Sequence, residues 1–180
     1  MLPTILIIAL AVVVILLIVV ALQPAEFRVS RSTTISAPPA AVFGLINDFH
    51  QWDHWSPWAK LDPNATNSFA GSPEGEGAIF SWAGNKKVGE GRMTIMESRP
   101  FQLIRIKLEF LKPFTCTNTA EFQFKPHASG TEVNWSMYGR NGFMGKLFGL
   151  FMNMDKMVGA DFEKGLASIK SQAEASKQKH

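Results

Sequence analysis

The chain opens with a run that has almost one structural solution. From Leu2 to Leu22 there are 21 residues and no charged side chain. As a helix rising about 1.5 Å per residue, that run spans the roughly 30 Å hydrocarbon core of a bilayer. Its centre, Ala11–Val20, is rich in Val and Ile, poor helix formers in water. In lipid, only a helix satisfies every backbone group within one segment. The reading is a transmembrane anchor over residues 1–25, with Pro24 ending the helix. A cleaved signal peptide is the competing reading. It calls for a basic leader and an apolar stretch of about 7–15 residues. Here no Lys or Arg precedes Arg28 and the apolar run is longer, although Val19-Val20-Ala21 would serve as a small-residue cleavage site. Arg28 and Arg31 follow the span directly. The positive-inside rule then places the rest of a single-pass chain on the cytoplasmic side of the cell membrane.

All 18 Lys/Arg and 15 Asp/Glu lie beyond residue 25. Without the anchor the chain is about 40% hydrophobic, ordinary for a soluble domain, and about 155 residues bury a single core. A polytopic membrane protein, a disordered chain and a disulfide scaffold are excluded. The one cysteine, Cys116, forms neither an internal disulfide nor a cysteine-based zinc site. A net charge of +3 is too small to argue for nucleic acid.

After the anchor, Phe27–Ile35 alternates like a strand and Ser36-Ala-Pro-Pro turns into a helix, Ala40–Asn47. Prolines there sit in the first turn, where a missing N–H costs little. A short helix or turn covers Phe49–Trp58. Residues 59–76 read as a loop with one edge strand near Phe69. Five strand-like segments follow: Gly77–Ala83, Val88–Ser98, Phe101–Phe110, Thr115–Lys125 and Thr131–Arg140. In the third, Ile104, Ile106, Leu108 and Phe110 alternate with Arg105, Lys107 and Glu109, one face buried and one wet. Short connections make an antiparallel meander. From Leu147 to Ile169 apolar residues recur at steps of three and four, a long helix, and after Ser171 the chain reads as a frayed polar end. An apolar sheet face needs a cover, and that helix is the only surface long enough. The expected architecture is α+β: a curved antiparallel sheet wrapped around a long C-terminal helix, preceded by one transmembrane helix. The domain occupies residues 26–174 and a polar tail 175–180.

Several local motifs carry a resemblance. They are Ile35-Ser-Ala-Pro-Pro-Ala-Ala-Val-Phe43, then Trp52-x-x-Trp55-Ser-Pro-Trp58, and Asp161-Phe-Glu-Lys-Gly-Leu166-x-x-Ile169-Lys. Together they resemble the SRPBCC superfamily, nearest its polyketide cyclase/dehydrase-like branch, with the START-like helix-grip fold. The likeness covers about residues 27–174. It implies a hydrophobic ligand cavity without naming the ligand; fold alone does not give function.

The candidate lining follows from parity and spacing. Trp52, Trp55 and Trp58 are three apart, on one side of a helical turn, and serve either as core packing or as an aromatic wall. Phe80, Trp82, Ile106 and Phe110 lie in strands. Cys116, Asn118, Ala120, Phe122 and Phe124 share one strand side. Cys116 is expected to be a small buried core residue. Asn118 is expected to be a polar group amid apolar ones that must bond to something. Val133, Trp135 and Met137 share a side, and the helix stripe Met154, Val158 and Phe162 is expected opposite Trp135.

No constellation assembles a nucleophile, a base and an oxyanion donor. His50 and His54 have helical metal-ligand spacing, with Asp53 between them, but lack a third ligand. No metal and no cofactor are expected, and salt bridges or solvent are the default for Asp155 and Asp161. The leading reading is a binding protein for a hydrophobic or lipid-like small molecule, tethered through residues 2–22. The alternatives are a cyclase/dehydratase-type enzyme, drawing on His50, Asp53, His54 or Tyr138, and a structural membrane-associated domain filled by its own side chains.

Overall fold

The computed structural model describes residues 2–177. Helix α1, Leu2–Leu22, is the one helix among them long and apolar enough to cross a membrane. It stops before Pro24, as expected. Strand β1, Glu26–Ile35, leads into α2, Pro39–Asn47, with proline at its first position where the missing N–H costs nothing. A single 3₁₀ turn, Phe49–Gln51, runs into the one-turn helix α3, Trp52–Trp55.

Six strands then meander: β2 Thr66–Gly71, β3 Ala78–Ala83, β4 Glu90–Arg99, β5 Leu103–Lys112, β6 Cys116–His127 and β7 Gly130–Arg140. With β1 they form one seven-stranded sheet in the order β1-β7-β6-β5-β4-β3-β2. Every pairing is antiparallel. The edge strand expected near Phe69 is β2, exposed throughout. The other strand ends lie within about two residues of expectation. Helix α4, Phe143–Gly149, and helix α5, Met154–Lys177, complete the chain.

The long C-terminal helix is therefore not continuous from Leu147. It breaks over residues 150–153, after Gly149, and restarts on Asn153. The Asn153 side chain accepts the Lys156 N–H at 3.0 Å. That is an N-cap, and it satisfies one of the donors a helix start leaves open. The far end also departs from expectation. Instead of fraying after Ser171, α5 runs on to Lys177, held by buried Ala173, by Gln172 Nε2 on the His54 carbonyl (2.8 Å) and by Glu174 accepting the Ser36 N–H (2.8 Å). Of the expected tail 175–180, residues 178–180 lie outside the described residues.

The sheet's two faces divide as the alternation demands. The concave face carries the core, Val29, Ile95, Ile104, Ile106, Phe122, Val133 and Trp135 among others, and grips α5. Helix α5 is held down by charge as well. Arg31 of β1 donates to Asp155 (3.0 and 3.1 Å) and to Glu163 (2.7 Å). Hydrogen bonds to Asp155 and Glu163 raise its already high pKa. Asp155 therefore forms the salt bridge that was its default, and Asp161 pairs with Lys164 at 2.9 Å.

The convex face is a ladder of ion pairs, Arg92–Glu109–Lys107 and Arg99–Glu97–Arg105–Glu121. Glu121 is buried within it. Burial alone would raise its carboxyl pKa, but hydrogen bonds from Arg105, Gln123 and Tyr138 outweigh that and hold it below the ordinary range. Tyr138 thus belongs to the outer face, as its parity indicates, and donates to Glu121 at 3.2 Å.

Two expectations follow. Glu121 has a folded pKa below its unfolded value near 4.3, so its ionised form stabilises the fold above that value and this contribution is lost as pH falls through the folded pKa. Glu121→Gln should flatten the acid limb of the stability curve, measured by urea unfolding at neutral pH and near pH 3. The second expectation concerns glycines. A Cβ on Gly44, in α2, meets nothing within 4 Å, whereas one on Gly165, in α5, would lie 2.7 Å from the Trp135 ring. Gly44→Ala should stabilise by about 0.5–1 kcal/mol. Gly165→Ala should destabilise despite the same gain in helix propensity, because the ring it meets has no room to retreat. Thermal melts of the two variants check both signs.

A concave face with one filled end and one open end

The strand register lays the expected lining residues on the concave face in successive rows. Arg31, Trp135, Phe122 and Ile104 are cross-strand neighbours in one row. Val29, Met137, Ala120, Ile106 and Ile95 form the next. Phe27, Gly139, Asn118, Leu108, Met93 and Phe80 form a third. Cys116, Phe110, Gly91 and Trp82 form the last, beside the β5–β6 turn.

The Trp135 row is filled. The Trp135 ring lies parallel to Phe162 of α5, centroids 4.1 Å apart and planes 9° apart, and its other neighbour Phe122 stacks at 4.8 Å. Trp55 and Trp58 meet it edge-on at 5.7 and 5.8 Å. At this level helix and sheet touch through rings, with no space left between them. Gly165 makes the contact possible, since any side chain there would enter the indole. Phe162 is thus the member of the expected helix stripe that faces Trp135. Met154 does not: it sits exposed on the first turn of α5, ahead of the sheet's grip, and Val158 is half-buried.

Trp52 and Trp55 are fully interior, and their indole N–H groups donate to the carbonyls of Ile46 (2.9 Å) and Leu45 (2.8 Å). These are carbonyls at the end of α2, which a helix leaves without internal partners. The tryptophan spacing therefore closes one end of the fold and caps a helix at the same time. Trp82 donates to the Val88 carbonyl at 3.0 Å. Trp135 Nε1 is the one fully buried side-chain donor among the described residues that finds no acceptor. An unmet donor in an apolar interior costs about 1–3 kcal/mol.

Burial falls away toward the β5–β6 turn. Met137 and Ala120 are buried, Phe27, Leu108, Phe110, Trp82 and Val158 are half-buried, and Cys116 is exposed. Cys116 shares the inward parity of Phe122 but is not a core residue. It is the first residue of β6, at the end of the sheet where cover from α5 has run out. Partial desolvation still raises its thiol pKa. Asn118, two residues further in, is buried. Its amide reaches only the Cys116 sulfur, at 4.0 Å, and its oxygen lies over Gly139, where a Cβ could not stand. It is a polar group set in an apolar surface with one weak partner.

The two histidines do not converge, and only His50 meets this face, at its β2 edge. His50 stacks on Phe69 at 4.1 Å and bonds Asp48 at 2.8 Å, while Asp53 and His54 point to solvent at the outer side of α3. Burial raises and hydrogen bonds from His50 and Gln51 lower the Asp48 carboxyl, with a net shift downward. Among the described residues no three His, Cys, Asp or Glu side chains converge.

The sequence profile of the polyketide cyclase/dehydrase and lipid transport family matches residues 26–174. The chain belongs to this family. Curated protein sequences give no match. Solved structures share the helix-grip fold at low identity. A Chromobacterium violaceum protein superposes with a TM-score of 0.58 at 14% identity, over 84% of this chain and 99% of that one. A Staphylococcus aureus protein of unknown function gives 0.62 at 12%, over 85% and 96%. Aha1 of Colwellia psychrerythraea, solved as a dimer, gives 0.55 at 12%, over 82% and 96%. Membership in this family suggests hydrophobic ligand binding. The matched span begins where α1 has ended, so α1 lies outside the shared fold.

Within the family's grip, Trp135 is here a packing residue on both faces. Trp135→Ala should cost the full 3–5 kcal/mol or so of a ring lost from a filled core. Urea unfolding of the full chain in mild detergent measures it.

Proposed function

We propose that the protein is a membrane-anchored binding protein for a hydrophobic, lipid-like molecule. The ligand rests on the open half of the concave face, between α5 and strands β5 and β6. One observation carries this reading: the concave face stays apolar where its cover thins, so that Leu108, Phe110 and Trp82 of the strands are half-covered near the buried polar group Asn118, with Val158 of α5 half-buried as well. Small-molecule sites have this make-up, apolar walls and a few placed polar groups. Buried Met137 and Ile106 close the site in front of the Phe122, Trp135 and Phe162 rings, and the Asn118 amide bonds the ligand's polar end. Family membership supports the same chemistry. The uncharged 21-residue helix α1 supports anchoring, because lipid-like ligands partition into the bilayer beside the domain.

The Trp135–Phe162 stack favours a second reading, a structural domain whose interior is closed by its own rings. Photo-crosslinking separates the two. The full chain in vesicles is treated with a diazirine-bearing fatty acid, and labelled peptides are mapped. Binding predicts labels in residues 103–120 and 154–162, lost in Leu108→Trp, which fills the open row, while circular dichroism stays unchanged. No specific label in the wild type, or equal labelling in Leu108→Trp, leaves the structural reading standing.

A further inference from the structure

The last turn of α1 is not free. Val20 has no exposed surface, although almost every other large residue of α1 is exposed. The turn packs against α4: Lys146 Nζ donates to the Ala21 carbonyl at 3.1 Å, and the Asn141 N–H just before α4 donates to the Ala25 carbonyl at 2.7 Å. Helix α4 is therefore fixed beside the end of the apolar helix.

The surface that α4 presents there does not suit water. Phe143, Met144, Phe148, Phe151 and Met152 are all exposed, Phe151 by 77%. Phe114, from the β5–β6 turn, joins them with its ring 5.7 Å from Phe148. Contiguous apolar surface of this kind marks an interaction site. Within its own stretch of chain, Arg140–Met154, the charged residues are Arg140 and Lys146; of the acids that border it, Glu26 stands opposite Arg140 and Asp155 is held by Arg31.

We propose that α4, residues 150–152 and the β5–β6 turn form a second lipid-contacting surface, seated at the headgroup–acyl boundary of the membrane that α1 crosses. The proposal rests on reading α1 as a span and deepens the proposed function. Length gives the depth. Twenty-one helical residues match the hydrocarbon thickness, so the last turn of α1, and α4 against it, lie at the boundary. Aromatic and methionine side chains with a basic rim fit an interface bearing anionic lipid. Tethering decides the occupant: α1 holds the bilayer against this patch at a local concentration no free partner matches. The open row of the concave face, Phe110 and Cys116, flanks the same β5–β6 turn. A lipid-like molecule then passes from bilayer to binding face without crossing water.

Depth-dependent quenching tests this on the full chain. In a Cys116→Ser background, single cysteines replace Phe148, Phe151, Val12 and Ser129 in turn, Ser129 lying in the β6–β7 turn at the opposite end of the sheet. Each carries an environment-sensitive fluorophore in vesicles of phosphatidylcholine and phosphatidylglycerol. The expected result is quenching at 148 and 151 by lipids with a nitroxide near the glycerol end, loss of iodide quenching there, and the reverse at 129. Iodide access at 148 and 151 equal to that at 129, with 12 quenched by lipid, overturns the surface and leaves the anchor standing. Protection from both quenchers assigns the patch to a protein partner or second copy and overturns the proposal. Absence of lipid quenching at 12 overturns the anchor and the surface together.

Discussion

The contact between Trp135 and Phe162 is the joint on which the rest of the molecule turns. The sheet has one apolar face and α5 has one apolar stripe. They meet where an indole and a phenyl ring lie parallel at 4.1 Å. Phe122 backs the indole, and Gly165 lets the helix approach. Everything toward α2 and α3 is then sealed: Trp52 and Trp55 reach around to tie off the carbonyls of α2, and Ile35, Val133 and Ile104 are fully buried beneath them. On the other side of the joint one more row, Val29, Met137, Ala120, Ile106 and Ile95, is buried, and beyond it the face is only partly covered. At the level of Trp135 the interior is a ring stack rather than a gap.

The asymmetry has a second source in charge. Arg31 binds Asp155 and Glu163 one turn above and one below Gly159, over which its guanidinium lies. Those bonds pin the N-terminal half of α5 to β1, at one edge of the sheet, and away from β5. The middle of the concave face toward the β5–β6 turn, around Leu108 and Phe110 of β5, is left only half-covered. The polar ladder on the convex face makes no competing demand, since Glu121, Arg105 and Tyr138 satisfy one another. The uncovered apolar surface of the sheet is therefore confined to one face, and on that face to one end.

That end is also where α1 joins. Val20 is buried against the domain while Leu108 and Phe110 remain half-open nearby in the fold's order. A helix that fits a bilayer, an apolar α4 and the uncovered part of the grip share one pole, and the aromatic seal occupies the other. With one pole sealed by rings, the uncovered apolar surface is confined to the other.

The strands and helices were legible in the sequence wherever one face had to be buried. Ile104, Ile106, Leu108 and Phe110 alternate because β5 is wet on one side, and Trp135 could be placed inward from its parity with Val133 and Met137 alone. The family motifs gave the grip itself, and the uncharged run defined α1. Period and parity say which side a residue faces, since each is a property of local backbone geometry. They do not say how far along the strand the cover extends. Hence Cys116, with perfect inward parity, stands exposed at the start of β6, and Met154 precedes the grip of α5. The break at residues 150–153 was written in Gly149 and the cap Asn153, but the apolar spacing runs through it unchanged, because α4 meets a different surface from α5. Whether Trp135 lines a hollow or fills it depended on the distance between two elements 27 residues apart in sequence, at Trp135 and Phe162. Only packing sets that distance, and packing is a property of the assembled chain.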